Sequence, residues 1–471
     1  MSIPFAFISE VRVPRKPRLI IVANRLPVQR VGRGPNAHWE SSSGGLVTAL
    51  VPTLQKNQGV WVGWTGSNDK PPRPFNHEGI RIRPVAISER EEDGFYNHIS
   101  NRTLWPLYHD AIRIPEFEHQ YWRSYVAVNE RFAQIVAAIA RPGDHVWVHD
   151  YHLQLVPRML RQIEPRLKIG FFLHIPFPPE ELFAWLPWRQ QILEGILGAD
   201  VVGFQTYAAV QNFSRSAREY TEAEGSDSEL TYQGRTVQVQ SHPISIDFDW
   251  FQGQAEKPET QADAKDIRRR LGGRKIFLAV DRLDYTKGID LRLRAFEMLL
   301  RSRNTSVDKA VLVQIAVPSR EKAFEYAETR TRIEQLVGRI NGEYSTTGKV
   351  AVHYFRRNLT REELTAYYRA ADVMLVTPLR DGMNLVAKEF IATRSDNSGV
   401  LVLSEFAGAA RQLRRALLVN PRDVEAMART FLESMTIKPA DARQRMSILR
   451  MMVRRHDVYE WADGFLKSLR A

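Results

Sequence analysis

The chain has 471 residues, no cysteine and a formal net charge of +12, with 66 lysine and arginine residues against 54 aspartate and glutamate residues. The lack of cysteine excludes disulfides, thiolate zinc sites and a cysteine nucleophile. No apolar run approaches the roughly 18 residues that a membrane-spanning helix needs. Basic residues form no dense run and do not alternate with aromatic residues, which disfavours nucleic acid, whereas small phosphorylated ligands suit the positive charge.

The residues before Pro17 combine a short apolar run, broken by Pro4, with basic residues that follow it. A secretory signal peptide has the reverse order, with its positive charges first. We therefore expect a leader that stays in the cytoplasm, and the lack of cysteine is consistent with that compartment.

Short apolar runs alternate with helix-period segments through the first half of the chain. The runs are predicted to be strands and read "RLIIVANR", "VWVGWTG", "HVWVHD", "KIGFFLHIP" and "DVVGFQ". The stretch "GRGPNAHWESSSGG", from residue 32, has no apolar periodicity and is predicted to be a loop. Apolar strands that alternate with helices predict a parallel sheet covered on both faces.

The second half repeats this plan with the strands "KIFLAVDRLD", "AVLVQIAVPS", "VAVHYF", "DVMLVTP" and "GVLVLSEF". Single cores stop growing near about 250–300 residues, so we expect two domains. We place them at residues 1–248 and 249–471, with last helices that can pack back on the N-terminal domain. The predicted fold is α/β, with two Rossmann-like doubly wound domains facing a central cleft.

Cationic residues follow two strands of the second domain. In "DRLDYTKG", Arg282 and Lys287 follow a strand, and Gly288 permits close approach of the backbone. Two cations at a strand-to-helix turn indicate a diphosphate site. Arg320 in "VPSR" ends the next strand, and arginine suits bidentate contact with phosphate. Solvated surface charges are the alternative at both places, and no Walker or G-x-G-x-x-G pattern supports a kinase or a dehydrogenase.

The stretch "TPLRDGMNLVAKEF" joins a buried strand to a helix, with Asp381 at the helix entrance and Glu389 about two turns inside. Backbone N–H groups at the helix N-terminus favour anionic or polar oxygens. They belong to Gly382, Met383 and Asn384. A carboxylate inside such a helix can hold a ribose diol. The alternative is a plain N-cap at Asp381 and an exposed charge at Glu389, but three adaptable residues after the cap favour a ligand.

Polar residues also follow the strands of the first domain. They are Arg25 in "ANRLP", Gly44 and Gly45 in "SSSGGL", His149, Asp150 and His152 in "VHDYH", and His174 in "FFLHIPFPP". The spacing of the histidines matches no helical metal pair such as H-E-x-x-H, so we expect no metal site. Tyr96 and Trp105 lie in a helical stretch, where aromatic residues usually belong to the core.

Ten motifs occur in the order found in trehalose-6-phosphate synthases, and the chain resembles that family from about residue 18 to about residue 460. The motifs are "ANR", "SSGGL", "WVGWTG", "YNHISNRTLWP", "HDYHL", "GFFLHIPFP", "DRLDYTKG", "QIAVPSR", "GRINGEYS" and "TPLRDGMNLVAKEF". Two departures are "ANR", where many relatives have "SNR", and "HPISID", where many have "YPIGID". The resemblance implies the GT-B architecture, a retaining mechanism, and no metal or other cofactor.

The resemblance also implies the reaction, which is transfer of glucose from a nucleotide-glucose to glucose 6-phosphate to give α,α-trehalose 6-phosphate. On the donor side, Arg282 and Lys287 would neutralise the diphosphate, and Gly45 would approach it from the other domain. Glu389 would hold the ribose, and the backbone of Ile340 in "GRINGEYS" would meet the base. The residues that would orient or contact the donor sugar, carried over from the family motifs, are His174, Asp381, Gly382, Met383, Asn384 and Leu385.

On the acceptor side, the resemblance implies that Arg25, Tyr96 and Arg320 grip the phosphate. It implies that Trp64, Trp105 and Asp150 line the sugar, with Trp64 preferred to Trp61 within "WVGW". The residues expected to take part in the chemistry are Asp150, His174, Arg282, Lys287 and Asp381.

Fixed cations aimed at the leaving diphosphate lower the barrier as its negative charge develops. Without an evident nucleophile on the far face, we expect a front-face route in which a leaving phosphate oxygen accepts the proton of the attacking hydroxyl. Asp381 is not expected to be a nucleophile. Backbone contacts to a base leave little trace in side chains, so uridine, guanosine and adenosine stay open, and we favour UDP-glucose.

Three rival hypotheses follow from the same residues. A pseudo-glycosyltransferase that joins cyclitol units through nitrogen would share the phosphate sites, and a non-catalytic sugar-phosphate sensor would share the fold. Intact Asp150, His174 and Glu389 favour a true sugar transferase over both. A nucleic-acid binder is supported by net charge alone, and salt-dependent binding tests it. We expect small-molecule substrates as partners, with no nucleic acid and no membrane, and we leave a homo-oligomer open.

Overall fold

A computed structural model of the chain describes residues 17–32, 38–41, 45–56, 59–318 and 324–471. The described residues form eighteen strands: β1 (Leu19–Arg25), β2 (Val28–Val31), β3 (His38–Ser41), β4 (Val60–Trp64), β5 (Phe75–His77), β6 (Ile80–Val85), β7 (His145–His149), β8 (Lys168–Phe172), β9 (Val201–Phe204), β10 (Glu224–Gly225), β11 (Glu229–Tyr232), β12 (Arg235–Ser241), β13 (Lys275–Arg282), β14 (Ala310–Val317), β15 (Val352–Phe355), β16 (Val373–Val376), β17 (Val400–Ser404) and β18 (Leu417–Val419).

The same residues form seventeen α-helices: α1 (Gly45–Lys56), α2 (Glu89–Glu91), α3 (Trp105–Tyr108), α4 (His119–Ile139), α5 (Val156–Ile163), α6 (Glu180–Phe183), α7 (Arg189–Ile196), α8 (Tyr207–Tyr220), α9 (Phe248–Glu256), α10 (Pro258–Arg270), α11 (Ile289–Arg301), α12 (Phe324–Tyr344), α13 (Arg361–Ala370), α14 (Leu385–Thr393), α15 (Val424–Thr436), α16 (Pro439–Arg455) and α17 (Val458–Arg470). A π-helix spans Glu92–Leu104, and short 3₁₀ turns span Tyr151–Leu153, Tyr285–Lys287 and Gly408–Arg411.

The first large sheet has the strand order β10-β11-β12-β9-β8-β7-β1-β4-β6-β5. The strands from β12 to β6 run parallel, and antiparallel strands flank them at both edges. Numbered along the chain, the parallel strands follow the order 3-2-1-4-5-6-7 from β6 to β12, which extends the dinucleotide-binding order by one strand. That order reverses between β1 and β7, and ligands of open α/β sheets bind beyond the strand ends at such a reversal.

The second sheet has six parallel strands in the order β15-β14-β13-β16-β17-β18. Numbered along the chain this order is 3-2-1-4-5-6, and it reverses between β13 and β16. The prediction of an α/β fold with two doubly wound, Rossmann-like parts is therefore confirmed. The sheets fall on either side of the proposed domain boundary at residue 248, which itself stays a prediction.

The stretch predicted to be a loop from residue 32 contains a strand. His38–Ser41 forms β3, which pairs antiparallel with β2 as a hairpin outside both sheets. The sequence gives little sign of it because a hairpin that packs against few neighbours needs no apolar alternation. Part of the predicted loop lies outside the described residues.

The last helix, α17, packs against the first sheet although it follows the second sheet in the chain. The rings of Phe465 and Trp147 stack with centroids 4.3 Å apart and an angle of 3° between them. A Cβ atom at Gly170 would lie 2.6 Å from the Phe465 ring, so glycine in β8 is what lets the ring approach the sheet. The helix thereby ties the C-terminal end of the chain to strands that hold candidate site residues.

Candidate active site

A cavity of about 550 Å³ lies where the strand-order reversals of the two sheets face each other. Eight of the predicted site residues line it: Arg25, Tyr96, Trp105, Asp150, His174, Arg282, Lys287 and Asp381. Most of them follow the carboxyl ends of β1, β7, β8, β13 and β16. The rule that polar residues at strand ends meet at one edge therefore brings them together from distant parts of the sequence.

A buried ion pair forms the floor of the cavity on the side of the second sheet. Lys287 Nζ donates to Asp381 Oδ2 at 2.7 Å, and Asn384 Nδ2 donates to the same oxygen at 3.1 Å. Burial pushes the pKa of Asp381 upward, but the Lys287 charge and both hydrogen bonds outweigh it and keep the pKa below its usual value. The site thus holds a carboxylate and an ammonium group, which are the charges needed to orient a sugar hydroxyl and a phosphate.

Lys287 is held in place by the turn that contains it. Its carbonyl accepts a hydrogen bond of 3.3 Å from Arg292 Nη2, and Arg292 is in turn paired with Asp281. Gly288 follows with φ of 62°, and a Cβ atom there would lie 2.7 Å from the carbonyl oxygen of Thr377. Glycine is required at residue 288 both for its left-handed backbone and for this close approach.

The two sheets come closest at His174 and Gly382. A side chain on Gly382 would overlap the carbonyl oxygen of His174, so the backbones touch because residue 382 is a glycine. The pKa of His174 is lowered to about 3 by burial, and the ring is therefore neutral at physiological pH. Its Nε2 lies 3.1 Å from Nδ1 of His149, which is also buried and neutral.

Asp150 lies beside His174 on the first sheet. Its carboxylate accepts the backbone N–H of His174 at 3.3 Å, and its own N–H donates to the carbonyl of Phe172 at 2.7 Å. Its φ of 75° is unusual for a residue with a side chain. Strained backbone of this kind persists where the surroundings fix it, commonly at functional sites.

Aromatic rings and one arginine form the wall on the side of the first sheet. The Arg25 guanidinium lies 4.9 Å from the centre of the Trp64 ring. Tyr96, in the π-helix, stacks on His152 at 5.8 Å. Across the cavity, the Arg282 guanidinium lies 5.2 Å from the Trp105 ring, so this cation and this aromatic residue join the two sides.

The resemblance favoured Trp64 over Trp61 as the residue that lines the acceptor sugar, but the cavity is lined by Trp61. In the described part of the chain, Trp61 is among the residues that line the cavity and Trp64 is not. The two side chains lie on opposite faces of β4 because they are three residues apart in a strand. Trp64 lies beneath Arg25 and donates from its indole nitrogen to the carbonyl of Ser67 at 2.7 Å, so it can orient the arginine.

Glu389 lies in a neighbouring, smaller cavity of about 100 Å³ that Leu385 and Arg361 also line. Burial raises the pKa of Glu389, while a 2.8 Å hydrogen bond from Tyr368 and the nearby Arg361 charge act in the opposite direction. The pocket is lined by both charged and apolar side chains, a combination typical of small-molecule sites.

The helix N-terminus next to this pocket is formed by residues predicted to orient the donor sugar, and that role stays a prediction. Asn384 caps α14 with φ of 80°, its side chain accepting the N–H of Ala387 at 3.4 Å, and Leu385 is the first residue of the helix. Met383 is buried in the core, where its carbonyl accepts the N–H of Ala409 at 2.9 Å. The side chain of Met383 is thus a packing element, and a ligand contact there would use its N–H group.

The expected base contact at Ile340 does not fit the structure. Ile340 lies inside α12, its side chain is fully buried against the second sheet, and it does not line either of the two cavities described above. Helical backbone at such a position is already hydrogen-bonded to the neighbouring turns and has nothing to offer a base. The pocket beside Glu389 is lined instead by residues that precede and begin α13, among them Leu359 and Arg361.

Two predicted residues have limited structural descriptions. Arg320 lies outside the described residues, so its acceptor role stays a prediction. Gly45 is the first residue of α1, and Val47 of the same helix lines the large cavity.

Sequence reasoning missed several residues of these cavities, and His109 and Arg361 are two charged or titratable examples. His109 lines the large cavity, donates from Nδ1 to the carbonyl of Trp105 at 2.7 Å, and has its pKa lowered to about 4, chiefly by burial. His109 follows α3 rather than a strand, so a search for polar residues at strand ends does not identify it. Arg361, which lines the smaller cavity, is the first residue of α13 and lies within the capping box of Thr360 and Glu363, a pattern that predicts only a helix start.

Within the described ranges, no three histidine, aspartate or glutamate side chains group as metal ligands. No helix in that part of the chain is long and apolar enough to cross a membrane. The cytoplasmic location and a homo-oligomer stay predictions.

Comparison with known proteins identifies the family. The model for "Glycosyltransferase family 20" matches residues 17–471. The trehalose-6-phosphate synthase of Mycolicibacterium smegmatis is 49% identical over 464 residues, which cover 96% of this chain and 92% of the relative.

Two solved structures are similar over almost the whole chain. One is an alpha,alpha-trehalose-phosphate synthase (UDP-forming) from Burkholderia xenovorans in complex with glucose-6-phosphate, with a TM-score of 0.88, 34% identity, and coverage of 96% of this chain and 100% of that one. The other is an E. coli structure bound with UDP-2-fluoro glucose, with a TM-score of 0.88, 34% identity, and coverage of 96% and 99%. The family resemblance and the enzyme class predicted from the sequence are confirmed. The chain belongs to glycosyltransferase family 20 and is a glycosyltransferase of the kind represented by these trehalose-6-phosphate synthases.

Proposed function

We propose that this enzyme transfers glucose from UDP-glucose to glucose 6-phosphate, forming α,α-trehalose 6-phosphate with retention at the anomeric carbon and without a metal ion. The observation that carries the proposal is one cavity with cations on both of its walls. Arg282 and Lys287 come from the second sheet, and Arg25 comes from the first. A donor diphosphate and an acceptor monophosphate are the pair of ligands that such an arrangement suits.

The ligands of the two similar structures agree with this division. The Burkholderia protein is in complex with glucose-6-phosphate, and the E. coli protein is bound with UDP-2-fluoro glucose. In this chain, Glu389 and Leu385 would hold the ribose and the adjoining diphosphate end of the nucleoside, next to the Lys287–Asp381 pair. Arg25, Tyr96 and Arg320 would bind the acceptor phosphate, and Trp105 and Asp150 would face its sugar.

The chemistry follows from where charge develops. The bond from the anomeric carbon to the diphosphate oxygen breaks, and Lys287 and Arg282 stabilise the negative charge that appears on that oxygen. The acceptor hydroxyl forms its new bond on the same face, and its proton passes to the departing phosphate oxygen. Asp381, ion-paired with Lys287, is a weak nucleophile and serves to orient the sugar.

The experiment that tests the proposal is UDP release from UDP-glucose with and without glucose 6-phosphate. Release that depends on the acceptor, with a non-reducing disaccharide phosphate as product, would establish the transferase. If UDP-glucose is inert, GDP-glucose and ADP-glucose are tested next. If every nucleotide-glucose is inert, the proposal fails, and a cyclitol acceptor or a sensor takes its place.

Metal independence has its own test. We expect activity to persist in excess EDTA, because lysine and arginine supply the positive charge that a metal would otherwise provide. Inactivation by EDTA that added Mg²⁺ or Mn²⁺ reverses would contradict this part of the proposal.

A further inference from the structure

The ring of His174 is contacted at both nitrogens by other side chains. Nε2 lies 3.1 Å from Nδ1 of His149, and Nδ1 lies 3.5 Å from the amide nitrogen of Gln205. A neutral imidazole has one protonated and one unprotonated nitrogen, and its partners decide which is which. Gln205 is buried, so its amide is a fixed partner.

The orientation of the Gln205 amide follows from its other contact. Its oxygen accepts the backbone N–H of Ile244 at 2.9 Å, which a nitrogen in that place could not do. The NH₂ group must therefore face His174 and donate to Nδ1. His174 then carries its proton on Nε2, from which it donates to Nδ1 of His149.

Ile244 is also held at its carbonyl group. Its carbonyl accepts a 2.8 Å hydrogen bond from Nζ of Lys388, a buried lysine on α14. Lys388 is adjacent in sequence to Glu389, which lines the smaller cavity. The backbone of one residue between β12 and α9 is thus held at its N–H by Gln205, which follows β9, and at its carbonyl by a lysine of the helix next to the candidate donor site.

We propose that Gln205 is a positioning residue for the transfer, because it holds His174 in the tautomer with Nδ1 unprotonated and Nε2 protonated. This inference deepens the proposed function, in which His174 contacts the donor sugar. An unprotonated Nδ1 presents a hydrogen-bond acceptor, which suits a sugar hydroxyl, and contacts at both nitrogens keep the ring in one orientation beside Gly382. The 3.5 Å distance to Gln205 leaves this lone pair only lightly engaged.

The test replaces Gln205 by glutamate and observes the ring directly. A carboxylate still accepts the N–H of Ile244 but has no hydrogen to give, so Nδ1 of His174 must take the proton to keep a bond. Two-bond ¹H–¹⁵N correlation spectra of histidine-labelled protein distinguish the two tautomers, and His174→Asn assigns the signal. We expect Nε2–H in the unmodified enzyme and Nδ1–H in Gln205→Glu.

Kinetics give the second readout. We expect Gln205→Glu to lower kcat by about 3- to 10-fold, the change that loss of one ordinary hydrogen bond produces, with the KM for glucose 6-phosphate unchanged. The matched control is Gln254→Glu, which places a carboxylate at another buried glutamine. Gln254 lies in α9, and its amide nitrogen donates to Thr260 Oγ1 at 3.1 Å. This control should keep both the His174 tautomer and kcat.

Three outcomes would overturn the inference: Nδ1–H in the unmodified enzyme, an unchanged tautomer in Gln205→Glu, or the same loss of kcat in both variants. If Gln205→Glu does not fold, the spectrum of the unmodified enzyme decides the matter alone. If the enzyme forms no trehalose 6-phosphate, the proposed function fails, while the spectra still decide whether Gln205 sets the tautomer.

Discussion

The strand-order reversals of the two sheets contribute opposite kinds of chemistry to one cavity. The second sheet supplies the ion pair of Lys287 and Asp381, and Arg282 lines the same cavity. The first sheet supplies buried neutral imidazoles, His149 and His174, and aromatic faces, with Arg25 as its cation.

The difference follows from what each wall would meet. A departing diphosphate gains negative charge during the reaction, so fixed cations on that side lower the barrier. Sugar hydroxyls gain little charge, and neutral acceptors and ring faces bind them without the cost of burying more ions. In the proposed reaction, the same fold, used twice, would thus serve two tasks through the residues at its strand ends.

Removing the cation of the second sheet should have the largest effect. In Lys287→Met we expect kcat to fall by about 10²- to 10³-fold, because a charge aimed at the leaving group is lost and Asp381 is left buried without its partner. Turnover of UDP-glucose with saturating glucose 6-phosphate measures this.

Lys275→Met is the control, since Lys275 begins β13, the strand that Lys287 follows, and its side chain is half exposed. We expect its kcat to match that of the unmodified enzyme. A Lys287→Met enzyme that keeps a tenth or more of its kcat would mean that the charged wall is not where the leaving group sits.

Removing the cation of the first sheet should affect the other substrate. In Arg25→Gln we expect the KM for glucose 6-phosphate to rise by about 10- to 100-fold, since a charge-assisted contact contributes about 1.5–3 kcal/mol. The donor KM should change little. Arg30→Gln, at an exposed position on β2, is the matched control. Equal increases in the KM for glucose 6-phosphate and in the donor KM would contradict the assignment of one substrate to each wall.

A further buried imidazole, that of His109, predicts a pH dependence of the free energy of unfolding. Burial lowers the pKa of His109 to about 4, below its ordinary value of 6.5. Between these values the unfolded chain binds a proton that the folded protein does not, so the free energy of unfolding falls as pH falls below about 6.5. At pH 5 the loss from this one residue is about 2 kcal/mol.

Calorimetric melting temperatures from pH 7.5 to pH 5 test this. The decline should be shallower in His109→Gln than in the unmodified enzyme, and it should be unchanged in the control His456→Gln, whose ring is 40% exposed. A decline as steep in His109→Gln would show that His109 is charged in the folded protein.

The smallest expected effect concerns the nucleoside pocket. In Glu389→Gln we expect the donor KM to rise by about 10-fold, because an amide accepts fewer hydroxyl hydrogen bonds than a carboxylate. The acceptor KM should stay the same. Glu362→Gln, on the exposed surface of α13, is the control. A larger change in the acceptor KM than in the donor KM would contradict the assignment of this pocket to the nucleoside.

The sequence by itself determined the fold class and most of the ionisable residues that line the large cavity. Apolar strands that alternate with helices can bury both faces only in a parallel sheet, and polar residues directly after such strands must collect at one edge. That logic, with the family motifs, selected Asp150, His174, Lys287 and Asp381, which do meet in the structure.

Tertiary structure alone decided what depends on distant partners. Ile340 lies within an unbroken helix, which no motif revealed, and Trp61 rather than Trp64 lines the cavity because of the face that β4 turns towards it. Gln205 gains its significance from Ile244, 39 residues away in the sequence, and His109 from the strand-end residues with which it lines the cavity. Local patterns record which residues can form an element, whereas a tautomer, a pocket wall or a contact between two sheets is fixed only when remote segments pack.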